Sequence, residues 1–516
     1  MDAAAPPRPH DQLHANRWII LGFLGLAQLM VVLDATIVNI ALPSAQKSLG
    51  FTIVDRQWLI TAYSLAFGSV LFLGGRLSDV LGRKTTLQIG LLGFALASAI
   101  GGASTSFGML VVARAIQGTF GAILAPAALA LLTTTFTNPD ERGKAFGIYG
   151  SIAGAGAAVG LLLGGVLTQY LDWRWTLYVN LFFAGIAIVG TQILLVRERG
   201  IATSGLDFVS TMLISSGLFG VVYGLSHAAT VATTAQATGS SLSLGSAFSN
   251  LTTILCILVG LVLVGAFVLR QGRVDRPMLP LGVVTDRARG GSFFGIGIAA
   301  ASMFAVFLFL TYYLQYVLGY SPVKTGVSFL PMVGVLITAS VISQTVLLPR
   351  FGPRPLVPTG MALGAVGMFF FAHISASGSY TTQVLPGLLL AGIGIGMVFS
   401  TAMNTATARV PAEYAGAASA AVNVFQQVGG SLGTALLSTV SISALVAFEH
   451  AHQINRDRSQ GGPVTAMLSK LAQVHGYSAG FTWGMAMFII GAVVTLVILP
   501  SGKPQRAAVE RELVAV

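Results

Sequence analysis

Long apolar runs recur along the whole sequence and leave few folds open to this chain. About fourteen of them are long enough to cross a bilayer as α-helices, at about 1.5 Å per residue. Only 9% of the residues are charged, whereas soluble domains carry about 25%. The sequence therefore predicts an all-α integral membrane protein that spans the lipid bilayer many times. The runs begin near Trp18, Gln57, Thr85, Phe107, Lys144, Trp175, Phe208, Asn250, Gly291, Thr325, Pro355, Val384, Ala415 and Ser478.

The distribution of positive charge predicts the orientation of these spans. Most of the 28 lysines and arginines lie in flanks and loops on the same side as the N-terminus, and cytoplasmic loops carry such an excess. Both terminal tails, residues 1–17 and 501–516, are therefore expected in the cytoplasm, with the protein in the cytoplasmic (plasma) membrane. The net charge of +11 then follows from topology, so no nucleic-acid partner is expected.

Several other function classes lack their usual signatures. No Gly-x-x-x-x-Gly-Lys-Ser/Thr segment occurs, so any transport must draw on a gradient and not on a nucleotide bound by such a loop. The single cysteine, Cys256, excludes a disulfide framework and a thiolate metal site, and we expect no metal and no cofactor. His452 and Asp457 have a spacing that some acyltransferases use, but they lie in a polar loop without a nucleophile pattern. We therefore predict no enzymatic activity.

Two pairs of short segments indicate an internal repeat. Pro139-Asp140-Glu141 matches Pro411-Ala412-Glu413, 272 residues later, and Gly82-Arg83-Lys84 matches Gly352-Pro353-Arg354, 270 residues later. Nearly equal offsets from independent places predict two six-helix halves, residues 18–199 and 291–500. Two inserted helices and a basic cytoplasmic linker, residues 200–290, would lie between them. Parallel repeats of this kind place a binding site at the membrane midplane between the halves.

Two charged residues lie inside apolar spans. Asp34 is about eight residues from the outer end of the first span and Arg114 about seven from that of the fourth, so they are ~12 and ~10 Å deep. A charge at such depth costs at least ~2.5 kcal/mol and by default marks a proton or substrate path. Similar depth predicts an ion pair between them. The alternative is that Asp34 is a structural carboxylate satisfied by a neighbour.

A polar stripe marks the thirteenth span. Asn423, Gln426 and Gln427 follow one another at i, i+3 and i+4, which places them on one helical face at mid-membrane depth. These amides either bond to a substrate or join neighbouring helices. We treat them, together with Gln117 one turn after Arg114, as candidate substrate-binding residues.

Two glycine-containing segments complete the set of motifs. The loop after the second span joins turn-forming glycines to cations that suit an anionic inner membrane surface; its candidate residues are Gly75, Asp79, Gly82, Arg83 and Lys84. The fifth span carries glycines at i, i+4 and i+8, a spacing that lets a partner helix approach closely; they are Gly156, Gly160 and Gly164, followed by Gly165.

These segments together resemble the major facilitator superfamily, in its drug:proton antiporter branch with about fourteen helices. The resemblance rests on the Asp-x-Thr-x-x-Asn-x-Ala-Leu-Pro stretch from Asp34 to Pro43, the loop after the second span, and the Arg-x-x-Gln-Gly stretch that starts at Arg114. The glycines of the fifth span resemble the family's antiporter motif. The sequence departs from that motif at Gly160-Leu161, where the family usually has Gly-Pro.

The resemblance implies the major facilitator fold and a proton-coupled exporter of small hydrophobic, neutral or monocationic molecules. In it, Asp34 carries the proton and Arg114 modulates it. Asp79 and its loop form a latch against the start of the thirteenth span near Ala415. We expect a monomer. Two alternatives stay open, an exporter or importer of a lipid, siderophore or endogenous metabolite, and a membrane scaffold or sensor. Asp34 and Arg114 argue against the scaffold, which has no use for buried charges.

Overall fold

The structure is a computed structural model that describes residues 16–51, 56–196, 207–238, 248–274, 277–279, 281–408, 410, 415–452 and 463–501. Within these ranges every regular element is helical, so the predicted all-α class is confirmed. The first eight helices are α1 Arg17–Leu49, α2 Arg56–Leu81, α3 Arg83–Gly102, α4 Phe107–Thr135, α5 Pro139–Tyr170, α6 Trp175–Leu194, α7 Phe208–Thr238 and α8 Leu251–Gln271. After a short helical segment, Leu281–Thr285, come α9 Arg287–Val317, α10 Pro322–Phe351, α11 Pro353–Ala372, α12 Tyr380–Thr407, α13 Ala415–Ala451 and α14 Pro463–Ile498.

Twelve of these helices are long and apolar enough to cross a membrane by length and composition. The other two, α2 and α5, contain shorter apolar stretches among the described residues, Trp58–Leu71 and Ala158–Tyr170. The predicted count of fourteen spans is therefore not confirmed.

The last helix begins earlier than the sequence predicts. The expected start was Ser478, but α14 begins at Pro463. The reason is that hydropathy reports apolarity and not helicity. The added turns carry Lys470 and His475, which lower the local hydropathy without ending the helix.

The helices form two groups, α1–α6 before α7 in the sequence and α9–α14 after α8. Close contacts at glycines pack the helices within each group. In the first group, a methyl group added at Gly118 of α4 would collide with the backbone carbonyl of Tyr63 in α2. In the second, Gly429 of α13 lies so close to Gly297 of α9 that a methyl group would be 2.5 Å from its backbone. Such contacts require the absence of a side chain, as is usual where helices approach closely in lipid.

The two inserted helices lie at the side of the molecule. Close backbone packing joins α7 to α8, with a methyl at Gly260 placed 2.7 Å from the Gly217 carbonyl oxygen. Helix α7 also contacts α2 and α13, and the rings of Trp58 and Tyr223 lie 6.0 Å apart. Only 17% of the apolar 18-residue stretch of α8 is buried, whereas 72% of the corresponding stretch of α4 is buried. The structure therefore places α8 at the periphery and α4 in the centre of its group.

The predicted internal repeat is visible in the backbone. Gly82 ends the α2–α3 connection at φ +87°, and Gly352 ends the α10–α11 connection at φ +75°. Gly50 and Gly319 form a second pair, both at φ +69° and both following the first helix of their group. A left-handed φ favours glycine, so the same turn chemistry recurs in each half. The matching segments at Pro139 and Pro411 give no such comparison, because Pro411 lies outside the described residues.

A pair of side chains repeats as well. Lys84 donates from Nζ to the carbonyl oxygens of Gln192 (2.9 Å) and Leu195 (2.6 Å), at the C-terminal end of α6. Arg354, 270 positions later, donates from Nε to the Leu496 carbonyl oxygen (3.1 Å) near the end of α14. A cation at a helix C-terminus satisfies unpaired carbonyl groups and the helix dipole. In each half, a cation at the start of the third helix thus binds carbonyl oxygens near the C-terminal end of the last helix.

The two groups of helices meet along α5 and α10. A methyl group added at Gly165 would lie 2.8 Å from the Pro322 carbonyl oxygen, and one at Gly326 would lie 2.8 Å from that of Leu161. The contact falls at the end of the molecule that the charge distribution assigns to the outer side. The exact domain boundaries given above stay predictions.

Candidate functional site

Asp34 is held inside the first group of helices by three donors. It is completely buried in α1. Nη1 of Arg114 in α4 donates to its Oδ2 atom. Its Oδ1 atom accepts from Nε2 of Gln117 (3.1 Å) and from Nδ2 of Asn180 in α6 (2.8 Å). The predicted ion pair between Asp34 and Arg114 is confirmed.

Arg114 is itself surrounded by acceptors and by an aromatic ring. Its Nη1 atom also donates to Oε1 of Gln117 (2.9 Å), and its Nε atom donates to the Leu59 carbonyl oxygen (3.4 Å). The guanidinium lies over the ring of Tyr63, 4.4 Å from the centroid, where a cation–π attraction adds to the ion pair. Only 3% of the Arg114 side chain and none of that of Asp34 is exposed. Burying a charge pair is tolerable only with such extra hydrogen bonds.

Ser98 links three helices beneath the pair. Its Oγ atom accepts from Nε2 of Gln117 (2.6 Å) and from Nδ2 of Asn180 (3.3 Å). We name Asp34, Arg114, Gln117, Asn180 and Ser98 the Asp34 cluster. It joins α1, α3, α4 and α6, and each of the five residues, backbone included, is at most 2% exposed. The cluster is therefore a nearly closed polar network in an apolar core.

The sequence did not indicate every member of this cluster. Ser98 and Tyr63 carry no motif, and Asn180 is not among the candidate residues named from the sequence above. Gln117 was predicted to bind substrate together with the α13 amides. The structure places it instead against Asp34, fully buried. Its role in substrate binding stays a prediction.

The glycines of α5 fit against α1 on both sides of Asp34. A methyl group at Gly160 would collide with the Thr36 side chain and lie 3.0 Å from the Leu33 carbonyl oxygen. One at Gly164 would lie 3.0 Å from the carbonyl oxygen of Ile37. Gly156 packs in the same way, one turn earlier, against Leu29 and Val32. At these three positions α5 lies so close to the Asp34 turn of α1 that no side chain would fit between the two backbones.

Gly165 and Leu161 serve a different contact. They face Pro322 and Gly326 of the second group, so one helix touches both the Asp34 turn and the opposite half. Leu161 stands where the related motif usually has proline, and α5 runs as one helix from Pro139 to Tyr170. The leucine is fully buried, so its side chain fills core space that a proline ring would fill less completely.

The amides of α13 form no hydrogen bond with the Asp34 cluster among the described residues. Asn423, Gln426 and Gln427 are half-buried, and Nδ2 of Asn423 donates to the Ser419 carbonyl oxygen (3.1 Å) within its own helix. Phe425 stacks on Phe293 of α9 with a centroid distance of 5.2 Å. Among the described hydrogen bonds, none joins these amides to Asp34. Their role as substrate ligands stays a prediction.

The proposed latch is described only in part. Gly82 forms the turn and Lys84 contacts the end of α6, while Gly75 and Arg83 are half-buried. The side chain of Asp79 lies outside the described residues, as do those of the first residues of α13. The latch therefore stays a prediction.

A small cavity lies next to the ion pair. Its volume is about 280 Å³ including the part open to solvent, and it lies between α1, α2, α4 and the start of α6. The walls are apolar except for Arg114 and Thr176. The residues of α1 that line it follow Asp34 toward the predicted outer end of the helix; they are Val38, Ala41, Leu42 and Ala45.

Comparison with known proteins decides the family. The family model described as Major Facilitator Superfamily matches residues 24–434. The chain belongs to this superfamily. The matched region contains every motif residue discussed above, from Asp34 to Gln427.

Relatives within the superfamily include antibiotic exporters and resistance proteins. The puromycin resistance protein pur8 of Streptomyces alboniger is 45% identical over 489 residues, covering 94% of this chain and 92% of the relative. The tetracenomycin C resistance and export protein of Streptomyces glaucescens is 33% identical over 84% of this chain and 78% of the relative. Among solved structures, a bacterial homologue of the human lysosomal transporter Spinster, in an inward-facing and occupied conformation, matches with a TM-score of 0.62. That match covers 96% of this chain and 97% of the other at 14% identity, and it shows the fold alone.

Proposed function

We propose that this major facilitator protein is a proton-driven exporter of small hydrophobic molecules across the cytoplasmic membrane. The observation that carries the proposal is the buried Asp34–Arg114 pair. A carboxylate that is hidden in an apolar core costs stability, and in membrane proteins such groups mark proton and substrate paths. The similarity to a puromycin resistance protein and to a tetracenomycin C resistance and export protein supports export of antibiotic-like compounds.

The chemistry asked of Asp34 is the uptake and release of one proton. In the charged form the carboxylate attracts Arg114 and receives three donors. Protonation removes the negative charge and weakens these contacts, so the packing of α4 and α6 against α1 changes with the proton. Such a two-state element can bias alternating access if the two states differ in proton affinity. The pH difference across the membrane supplies ~1.4 kcal/mol per unit and per proton.

Helix α5 offers the mechanical connection. Its glycines contact α1 at the residues that flank Asp34, and Gly165 contacts Pro322 in the second half. A shift of α1 on protonation would therefore move the contact between α5 and α10. On the predicted topology that contact closes the outer side. We propose both termini in the cytoplasm and a monomeric transporter.

Energised flux is the experiment that tests the proposal. Inverted membrane vesicles containing the protein should accumulate puromycin when a proton gradient is imposed, because the substrate leaves the compartment that corresponds to the cytoplasm. An uncoupler should abolish the accumulation within the same preparation. Transport that continues unchanged in the uncoupler would contradict proton coupling, and no transport of any tested compound would favour the scaffold or sensor.

A second candidate is export or import of a lipid, a siderophore or an endogenous metabolite. The fold allows it, since a bacterial homologue of a human lysosomal transporter shares this fold. A competition series in the same vesicles separates the two. Inhibition of puromycin flux by antibiotics of unrelated structure supports the multidrug exporter, whereas inhibition by one metabolite class alone supports the second candidate.

Substrate charge gives a further prediction. Asp34 is a single carboxylate, and it can either hold a proton or offset one positive charge, but not both. A second positive charge on the substrate would stay uncompensated in the cavity, and burying an unpaired charge is expensive. Ethidium should therefore be exported faster than its dicationic relative propidium, by roughly tenfold for each ~1.4 kcal/mol of uncompensated charge.

The comparison uses initial rates in one vesicle preparation. Equal rates for the two compounds would contradict the single-carboxylate account. In that case Glu449, which the structure buries to 2% exposure in the last turn of α13, is the first acid to test with Glu449→Gln.

The latch predicts a rate effect without a binding effect. Asp79→Asn should slow turnover several-fold and leave the substrate affinity nearly unchanged, because a charge at a helix N-terminus contributes only ~0.3–1 kcal/mol to the balance of two states. Affinity and maximal rate are measured in the same reconstituted sample. A collapse of affinity at an unchanged maximal rate would show that Asp79 acts on the binding site.

A further inference from the structure

The Asp34 cluster contains only donors toward the carboxylate. Arg114, Gln117 and Asn180 each place an N–H group against Asp34. An ionised carboxylate accepts hydrogen bonds and donates none, so this arrangement suits the charged form. A protonated carboxyl has an O–H group that needs an acceptor, and in a buried site an unsatisfied O–H costs ~1–3 kcal/mol. Some member of the cluster must therefore supply an acceptor when the proton arrives.

The three donors differ in their freedom to do so. Arg114 has no acceptor atom. The Oε1 atom of Gln117 already accepts from Arg114 at 2.9 Å, and its Nε2 atom donates to Ser98 at 2.6 Å. The Oδ1 atom of Asn180 is buried and has no hydrogen-bond partner among the described residues. Asn180 is thus the residue whose acceptor is available.

We propose that Asn180 is a positioning residue for the proton carrier, Asp34. When Asp34 is protonated, the side-chain amide of Asn180 flips, so that its Oδ1 and Nδ2 atoms exchange positions. In the charged state, Nδ2 donates to Oδ1 of Asp34. In the protonated state, the new O–H of Asp34 donates to Oδ1 of Asn180. The proton is the only atom gained, no covalent bond of Asn180 changes, and the direction of one hydrogen bond reverses. The inference rests on the proposed function, because it takes Asp34 to be the group that is protonated.

Ser98 can form a hydrogen bond with Asn180 both before and after the amide flip. Its hydroxyl accepts from Nδ2 of Asn180 at 3.3 Å in the present arrangement. A hydroxyl can also donate, so after the turn the same Ser98 can give its hydrogen to Oδ1 of Asn180. The serine thus offers Asn180 a partner in both orientations, and α3 and α6 stay joined throughout.

The titratable surroundings are few. From α4 the group that faces Asp34 is Arg114, and from α2 it is Tyr63, whose ring lies under that guanidinium. On α6 the nearest titratable side chain in sequence, Tyr178, packs at Gly102 of α3. On α5, Tyr149 donates to Gln28 (2.9 Å), far along α1 from Asp34. Within the described contacts of α3, no titratable side chain reaches the cluster.

Infrared difference spectroscopy between acidic and alkaline pH tests the inference on the reconstituted full chain. The wild type should show a carboxylic-acid C=O band that Asp34→Asn removes. With isotope-labelled asparagine it should also show a pH-dependent amide C=O band that Asn180→Leu removes. In Asn180→Leu the Asp34 band itself should shift in frequency, because its hydrogen bond to the amide is lost.

Asn39→Leu is the matched control. It makes the same change at another buried asparagine, which lies on the helix of Asp34. Within the described part of the chain, the Oδ1 atom of Asn39 is also without a partner and Asn39 forms no hydrogen bond to Asp34. It should leave the Asp34 band unmoved. An Asp34 band that Asn180→Leu leaves unchanged overturns the inference about Asn180 alone. Absence of any Asp34 band in the wild type would overturn the proposed function instead.

The labelled wild type covers the case in which Asn180→Leu fails to fold. Its asparagine amide band must change with the same pH dependence as the Asp34 band. If the asparagine amide band stays constant over the pH range in which Asp34 is protonated, the proposed amide flip is wrong. This test needs only the wild-type protein.

Discussion

Asp34→Asn should reduce uphill export to the level of vesicles that lack the protein. The amide has nearly the shape of the carboxylate and can still accept from Arg114, but it cannot take up or release a proton. Without that exchange, the pH gradient has no way to drive the cycle. Binding of an uncharged substrate should persist, since such a substrate needs no charge offset and Asp34 is fully buried among Arg114, Gln117 and Asn180. The measurement pairs energised accumulation with equilibrium binding in one preparation.

Asp172→Asn is the matched control for this substitution. Asp172 precedes α6 and pairs with Arg174 at 3.4 Å, but 47% of its side chain is exposed. An exposed ion pair contributes only ~0.2–1 kcal/mol, so the control should accumulate substrate like the wild type. Energised accumulation that survives Asp34→Asn would move the coupling group elsewhere, and the buried Glu449 is then the first candidate.

The pairing of Asp34 with Arg114 could be predicted because it depends on depth alone. Helical rise fixes how far each residue lies from the end of its span, and two charges at similar depth in apolar surroundings have few other partners. The identity of the remaining partners depends on how each helix is rotated about its axis. Ser98 and Asn180 reach Asp34 only because α3 and α6 turn those faces inward, and a single apolar sequence contains no signal for that rotation.

Helix rotation also decides which neighbouring helices the α5 glycines contact, and the sequence does not indicate it. The spacing of Gly156, Gly160 and Gly164 predicts a smooth helical face, but not the helix that covers it. The structure places α1 there, while the adjacent Gly165 faces Pro322 in the other half. Adjacent residues on a helix point about 100° apart, so two consecutive glycines can serve two different interfaces. Sequence periodicity identified the face, and only tertiary packing assigned the partners.

The repeat was the strongest long-range prediction, and the structure extends it. The sequence match at Gly82 and Gly352 rests on three residues, but the backbone adds the positive φ of both glycines. Lys84 and Arg354 add equivalent contacts with the last helix of each half. These features depend on local turn chemistry and short reach, which similar sequences reproduce. The Asp34 cluster gives no such match, because α9 contains no acidic residue and α12 contains no lysine or arginine.

Arg114→Leu should destabilise the protein strongly, because it leaves the carboxylate of Asp34 buried without its cation. Removing one partner of a buried ion pair costs ~3–5 kcal/mol. The variant also strips Gln117 and the Leu59 carbonyl of a donor. We expect a large fall in the melting temperature in detergent and loss of uphill export.

The double variant Asp34→Leu/Arg114→Leu separates stability from function. Replacing both members of a buried ion pair by apolar residues is often neutral or stabilising, so its melting temperature should lie well above that of Arg114→Leu. It should nevertheless export nothing uphill, because the proton carrier is gone. A double variant as unstable as the single one would mean that Arg114 stabilises the fold through Tyr63 and Leu59 and not through Asp34. Recovery of both stability and energised export would remove the ion pair from the transport cycle altogether.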